Sequence, residues 1–193
     1  MKKGTLIRNI IVSVFIVEFC LGAFFLSFLS SLKISNGGDV IIFKNIVWGC
    51  TTLTANGQEA AFADFIGVQS SGFAVVPGIG LLLILFASIA AALITWLVKK
   101  PFAKWIVVGL AAIILVGAIM QFFTYDAFIR AFVNELAKQA GVYDKATIEE
   151  AINSYKQSFA QFNPQTVIAT VTGVFGIVGA LGVAVPNFIP EKK

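Results

Sequence analysis

Four stretches of this chain, 7–32, 73–98, 102–124 and 165–188, are apolar with almost no charge. Each reaches the roughly 20 residues that a helix needs to cross the hydrocarbon core of a bilayer. Lipid offers no hydrogen bonds, so every peptide group in such a stretch must be paired within the segment, which dictates helix. Composition agrees: 58% of the residues are hydrophobic and 12% charged, against about 25% charged in a soluble domain. Too little charge is present to cover a globular surface. The expected fold is therefore an all-α membrane protein, a single membrane domain over 1–193 built as a four-transmembrane-helix bundle. Its first outer segment, 33–72, is expected to be partly β, and its second, 125–164, to form a helical hairpin.

The apolar run that follows Lys2, Lys3 and Arg8 is too long for a signal-peptide core and has no small-x-small cleavage site. A lipoprotein signal ending at Cys20 does not fit either, because Glu18 and Phe19 stand where small residues belong. The run is read as a retained span. Lysine and arginine set the orientation. With four spans, Lys2, Lys3, Arg8, Lys99, Lys100, Lys104, Lys192 and Lys193 share one side. Lys33, Lys44, Arg130, Lys138, Lys145 and Lys156 are diluted over the two longer segments, where acids outnumber them. The expectation is a multi-pass protein of the plasma membrane with both termini cytoplasmic. Trp96 and Trp105 flank the short turn at Lys99-Lys100-Pro101, where an interfacial aromatic belt belongs. Proline there suits a turn or a helix start. Because the basic residues cluster beside apolar runs, the pI near 9.1 points to membrane anchoring, with no nucleic-acid partner.

In 33–72, Asn36-Gly37-Gly38-Asp39 signals a turn, and 40–48 is rich in β-branched and aromatic residues and reads as one strand. A second strand over 51–54 precedes Ala55-Asn56-Gly57, which has hairpin chemistry, and 60–68 reads as a short helix. In 125–164, Phe128, Phe132, Leu136 and Ala140 recur near helical spacing until Gly141 breaks the pattern. Thr147 and Glu150 fit a capping box for a second helix, whose stripe is Ile148, Ile152, Tyr155, Phe159 and Phe162. The cap is read either as structural or as a docking surface. Trp48, Cys50, Phe128, Phe132 and Tyr155 are its contact candidates.

Glu18 is the foremost candidate residue. Ten residues beyond Arg8, it lies roughly 15 Å along the helix, near the bilayer centre. A carboxylate there costs about 3 kcal/mol to insert, and protonation is one escape. No lysine or arginine lies at matching depth, so Ser88 and the glycine-rich middle of the fourth span are the polar neighbours by depth. Either Glu18 is a neutral hydrogen-bonded carboxyl, or it faces a cavity or subunit interface as a proton- or cation-responsive group. Gly173, Gly176, Gly179 and Gly182 recur every three residues and allow close helix approach, within one bundle or between subunits. Cys20 and Cys50 are the only cysteines. Cys20 is roughly 18 Å inside the outer end of its span, too far from Cys50 for a disulfide. Cys50 is expected to be a packed free thiol or to pair with another chain. The sequence has no histidine, which removes the usual ligand of membrane haem, most catalytic zinc sites and the commonest general base. No nucleophile motif, phosphate loop or metal-spaced carboxylates stand out. No cofactor or metal is expected, and the chain is not expected to be an enzyme.

The order of parts (span, strand-rich outer segment, two spans joined by a tight turn, second outer segment, span) resembles that of claudin-like and peripheral-myelin tetraspans. Trp48-Gly49-Cys50 is similar to the tryptophan and cysteine of their first outer segment. That family pairs two cysteines in this segment, and here Cys50 has no companion. The resemblance implies layout. The expected function is a non-catalytic tetraspan acting by association, as an oligomer or as an accessory subunit of a larger membrane complex. Its partners would be membrane lipid and other membrane subunits or itself. The alternative is an oligomeric channel or transporter with Glu18 in the pathway.

Overall fold

A computed structural model describes residues 3–36, 39–48, 52–61, 75–161 and 167–189. Most are helical, and four helices are long and apolar enough to cross a membrane: Gly4–Leu29, Val76–Leu97, Ala103–Gln121 and Val167–Asn187. The chain is read as a multi-pass membrane protein on that basis. It divides into two compact units. One comprises Met1–Leu26, Ile79–Phe122 and Thr170–Lys193, the other Ser27–Gly78 and Phe123–Ala169.

The first unit takes its helices from all four spans. Helix α1 (Lys3–Phe15) runs into a π-helical turn, Ile16–Leu21, and then α2 (Gly22–Leu26). Helix α3 is Val75–Leu97, and α4 is Ala103–Gln121. The last span, α7 (Val167–Ala184), ends in a 3-10 turn at Val185–Asn187. Pro101 stands in the turn between α3 and α4, where the Ala103 amide donates to the Lys100 carbonyl at 3.0 Å. Along α4 the buried side is Ala103, Val107, Ala111, Ile114, Ala118 and Gln121. Intervals of three and four keep these on one stripe, and the small ones among them, with Gly117, let neighbouring helices approach closely. The outward faces carry large apolar residues such as Ile113, Val116 and Ile119, as expected of surface that meets lipid rather than water.

The second unit contains a four-stranded antiparallel meander: β1 (Ser31–Asn36), β2 (Asp39–Lys44), β3 (Thr52–Ala55) and β4 (Gln58–Ala61), adjacent in that order. The Asn56-Gly57 hairpin forms as expected. Both residues have positive φ, 50° and 82°, the geometry of a type I′ turn that matches strand twist. Three details differ from the sequence reading. The strand expected over 40–48 stops at Lys44, because Asn45 adopts φ 59° and diverts the chain into a 3-10 turn, Ile46–Trp48. Asparagine is among the few residues that enter this left-handed region readily. Strand β1 replaces the end of the first expected span, with Leu32 opposite Phe43; Phe28, Leu29 and Leu32 carry the apolar character across the helix end, so hydropathy alone does not mark where the strand begins. Ala60 and Ala61 belong to β4 rather than to a helix over 60–68, and the rest of that stretch lies outside the described residues.

Two helices complete this unit, α5 (Thr124–Gln139) and α6 (Lys145–Gln161). Gly141, φ 68°, ends α5 in a Schellman motif: the Val142 amide donates to the Ala137 carbonyl at 2.8 Å and the Gly141 amide to Lys138 at 3.1 Å. The cap of α6 differs from the expected Thr147–Glu150 box. Asp144 caps instead, its Oδ2 accepting from the Thr147 amide at 2.9 Å and the Thr147 hydroxyl at 2.6 Å. These hydrogen bonds hold the Asp144 carboxyl below its ordinary range, as suits an anion at the positive end of a helix. An aromatic cluster joins sheet to helices. Phe43 meets Phe128 at 5.2 Å and Phe132 at 6.4 Å between ring centres, and Phe132 meets Tyr155 edge-on at 5.9 Å.

Candidate functional site

Glu18 lies in the π-helical turn, and its side chain is exposed. It is 14 residues from Gly4 and 11 from Leu29, the ends of the span, so it sits near mid-membrane at 1.5 Å per residue. Ile7, Ile11, Val14 and Phe25 on the same helix are exposed as well. Glu18 thus interrupts an otherwise apolar outward stripe. A π turn accommodates one extra residue and shifts the faces that follow it. Here the turn buries Ile16 and Cys20 and sets the Phe19 ring 5.5 Å from Phe175 of α7. No hydrogen bond or ion pair engages the Glu18 carboxyl among the described residues.

Ser88, the hydroxyl expected beside Glu18 by depth, does not hydrogen-bond to it. Ser88 is buried and donates to the Leu85 carbonyl of its own helix at 2.8 Å. Gln121, also buried, donates to the Gly117 carbonyl at 3.2 Å. The Ser88 hydroxyl and the Gln121 amide nitrogen both donate to backbone, a common solution for polar side chains inside a membrane helix. Glu18 and Ser88 therefore occupy different faces: one looks out, the other in.

The four glycines of α7 are all buried, against two different neighbours. A methyl group on Gly173 would meet the Phe122 ring at 2.9 Å, and one on Gly176 the Ala118 Cβ at 2.6 Å. On Gly179 it would press on the Cys20 sulfur, and on Gly182 on the Phe15 ring. A three-residue step turns the helix by about 300°, so successive glycines drift about 60° around the axis. The ridge winds from α4 to the first span instead of presenting one stripe. A second close crossing carried no motif in the sequence reading. Gly80 of α3 and Gly117 of α4 face each other, and a methyl on Gly80 would stand 2.7 Å from the Gly117 carbonyl oxygen. Its only sequence signal is a glycine in each of two spans, too common in membrane helices to single out.

In the second unit, the contact candidates divide by burial. Phe128 is 0% and Phe132 7% exposed, so both are core residues of this unit and offer no surface to a partner. Tyr155 is 37% exposed and Tyr143, not singled out in the sequence, 77%. Trp48 stacks on Phe28 at 5.2 Å and donates from its indole nitrogen to the Ser27 hydroxyl at 2.8 Å. Cys50 lies outside the described residues. An ion-pair network ties α5 to α6. Arg130 reaches Asp126 at 2.9 Å and Glu149 at 2.7 Å, and Lys156 also binds Asp126. Burial pushes the Asp126 carboxyl up, but hydrogen bonds from Lys156 and Arg130 and their charges outweigh it and hold it low. Burial raises the phenol of neighbouring Tyr125.

Comparison with protein-family models, curated proteins and solved structures finds no match to this chain. The layout resemblance to claudin-like tetraspans accordingly carries no assignment.

Proposed function

We propose that this chain works by association in a cell membrane, without catalysis, as an oligomer or as an accessory subunit of a larger membrane complex. The carrying observation is the carboxyl of Glu18, outward-facing near the middle of a span on an apolar stripe. Leaving an ionised group there costs about 3 kcal/mol. A partner helix presenting a hydroxyl, amide or cation to this face would remove that cost and fix the register of contact. The glycine seams are consumed inside the chain's own helix packing, so they are not the surface proposed here. Both termini and the Lys99–Lys100 turn are assigned to the cytoplasmic side by the positive-inside rule. The sheet and the α5–α6 hairpin would then lie outside, with Tyr143 and Tyr155 on view. A complete absence of histidine supports the non-catalytic reading.

The test is the mass of the complex extracted in mild detergent or native nanodiscs. The wild type should run well above a 20.7 kDa chain, and Glu18→Leu should fall toward the monomer. A wild type that is monomeric in native nanodiscs sinks the proposal. The same exposed carboxyl also favours a second reading, a multi-copy channel with Glu18 lining the pathway. That reading requires Glu18→Gln to change the conductance, or its pH dependence, of reconstituted bilayers. Stable complexes with unaltered or absent conductance leave association alone.

A further inference from the structure

One end of the first unit holds a cavity of about 840 Å³, bounded by the start of α1, the end of α3, the start of α4 and the turn after α7. Four cations line it, Arg8, Lys99, Lys100 and Lys104, and among the described residues no acidic side chain does. Lys99, Lys100 and Lys104 are exposed and gathered around one hollow, so their summed positive potential favours an anion there. The floor is polar yet already fixed. Asn9 is buried and donates to the Thr95 carbonyl at 3.0 Å, and Asn187 donates to Val183 at 2.8 Å. Ile94, Val107 and Phe188 supply apolar wall. The level is that of a membrane interface. Trp96 and Trp105 have exposed indoles there, and the Lys104 ammonium lies 5.4 Å from the Trp105 ring centre.

We infer that this cavity takes the phosphate headgroup of an anionic phospholipid. The cations meet the phosphate, and the apolar wall meets the glycerol and first acyl carbons. A free phosphate shares the charge but makes no use of that wall. Basic pockets between membrane helices at headgroup level have the chemistry such lipids require. The inference needs only that the four helices span a bilayer, and is independent of what Glu18 contacts.

The experiment is native mass spectrometry and lipid-binding titration of the full chain from vesicles of phosphatidylcholine with phosphatidylglycerol. One or more phosphatidylglycerol molecules should be retained in preference to phosphatidylcholine. Replacing Lys99, Lys100 and Lys104 by glutamine should weaken retention by about fivefold per lysine. The pair Lys138→Gln and Lys145→Gln, in the other unit, should leave it unchanged. Val98→Phe keeps every charge but crowds the lining where glycerol and acyl carbons would lie, and should also weaken preferential retention. If Val98→Phe binds as the wild type does, the attraction is diffuse surface charge and the site is overturned. If inorganic phosphate displaces the lipid at equal concentration, the source is free phosphate and the lipid assignment is overturned.

Discussion

A methyl group at Gly117 would collide with the carbonyl oxygen of Gly80, while one at Gly109 on the same helix would meet nothing within 4 Å. The two glycines therefore predict opposite outcomes for one substitution. Gly117→Ala presses on backbone that has no rotamer to yield, and should cost about 1–3 kcal/mol. Gly109→Ala should be neutral or stabilise by up to about 1 kcal/mol through helix propensity. Thermal unfolding in detergent should rank the variants Gly109→Ala, wild type, Gly117→Ala in falling stability. Gly141 isolates a third cause. Space around it is open, but φ is 68°, so Gly141→Ala should lose about 1–2 kcal/mol from backbone conformation alone. Equal melting of Gly141→Ala and wild type would show that the Schellman cap contributes nothing measurable. Glu18 belongs at this scale too. Its depth follows from counting residues, but its direction is a matter of which side of the π-helical turn the other helices cover.

Helix α5 is held to α6 by aromatic contact within their unit and by the Asp126–Arg130–Glu149 and Asp126–Lys156 pairs. Because Asp126 is held below its ordinary value of 3.8, its share of stability is present above that value and is lost as pH falls through the lower, folded one. The pairs are partly exposed, so the share is about 1 kcal/mol or less. Asp126→Asn should open the hairpin more readily near neutral pH, seen as faster amide exchange in α5 and α6, and its difference from wild type should narrow as acid protonates Asp126, at a pH below the ordinary aspartate range. An Asp126→Asn hairpin that exchanges like the wild type at pH 7 would remove the network from the account. Elements with local chemistry were legible in the sequence. Asn56-Gly57 announced its turn, Gly141 its helix end, and Phe128 and Phe132 a helical stripe. The cap moved from Thr147 to Asp144, because both are good capping residues and only the chain's path decides which lies at the first turn. The break at Asn45 was hidden for a similar reason: an asparagine inside a β-rich run enters the left-handed region only where the fold bends the strand.

At the scale of the molecule, two surfaces carry the proposals made above, the outward stripe broken by Glu18 and the cationic hollow at one end of the first unit. Salt distinguishes them. Lipid retention by the hollow should weaken steeply between low and high ionic strength, because its lysines are exposed, whereas association through Glu18 at mid-membrane should hardly respond. A complex that dissolves in salt while lipid stays bound would reverse these assignments. That there are four long apolar helices was determined by the sequence alone, since about 20 apolar residues in lipid have no alternative to a helix, although the end of the first at β1 was not. The helix-breaking and turn signals followed from local backbone preferences of glycine and asparagine. Which residues face one another required tertiary structure. Hydropathy in a membrane helix is nearly uniform around the axis, so sequence could not say that Glu18 looks outward and Ser88 inward, that the α7 glycines serve two neighbours, or that Lys99, Lys100 and Lys104 line one cavity with Asn9 and Asn187.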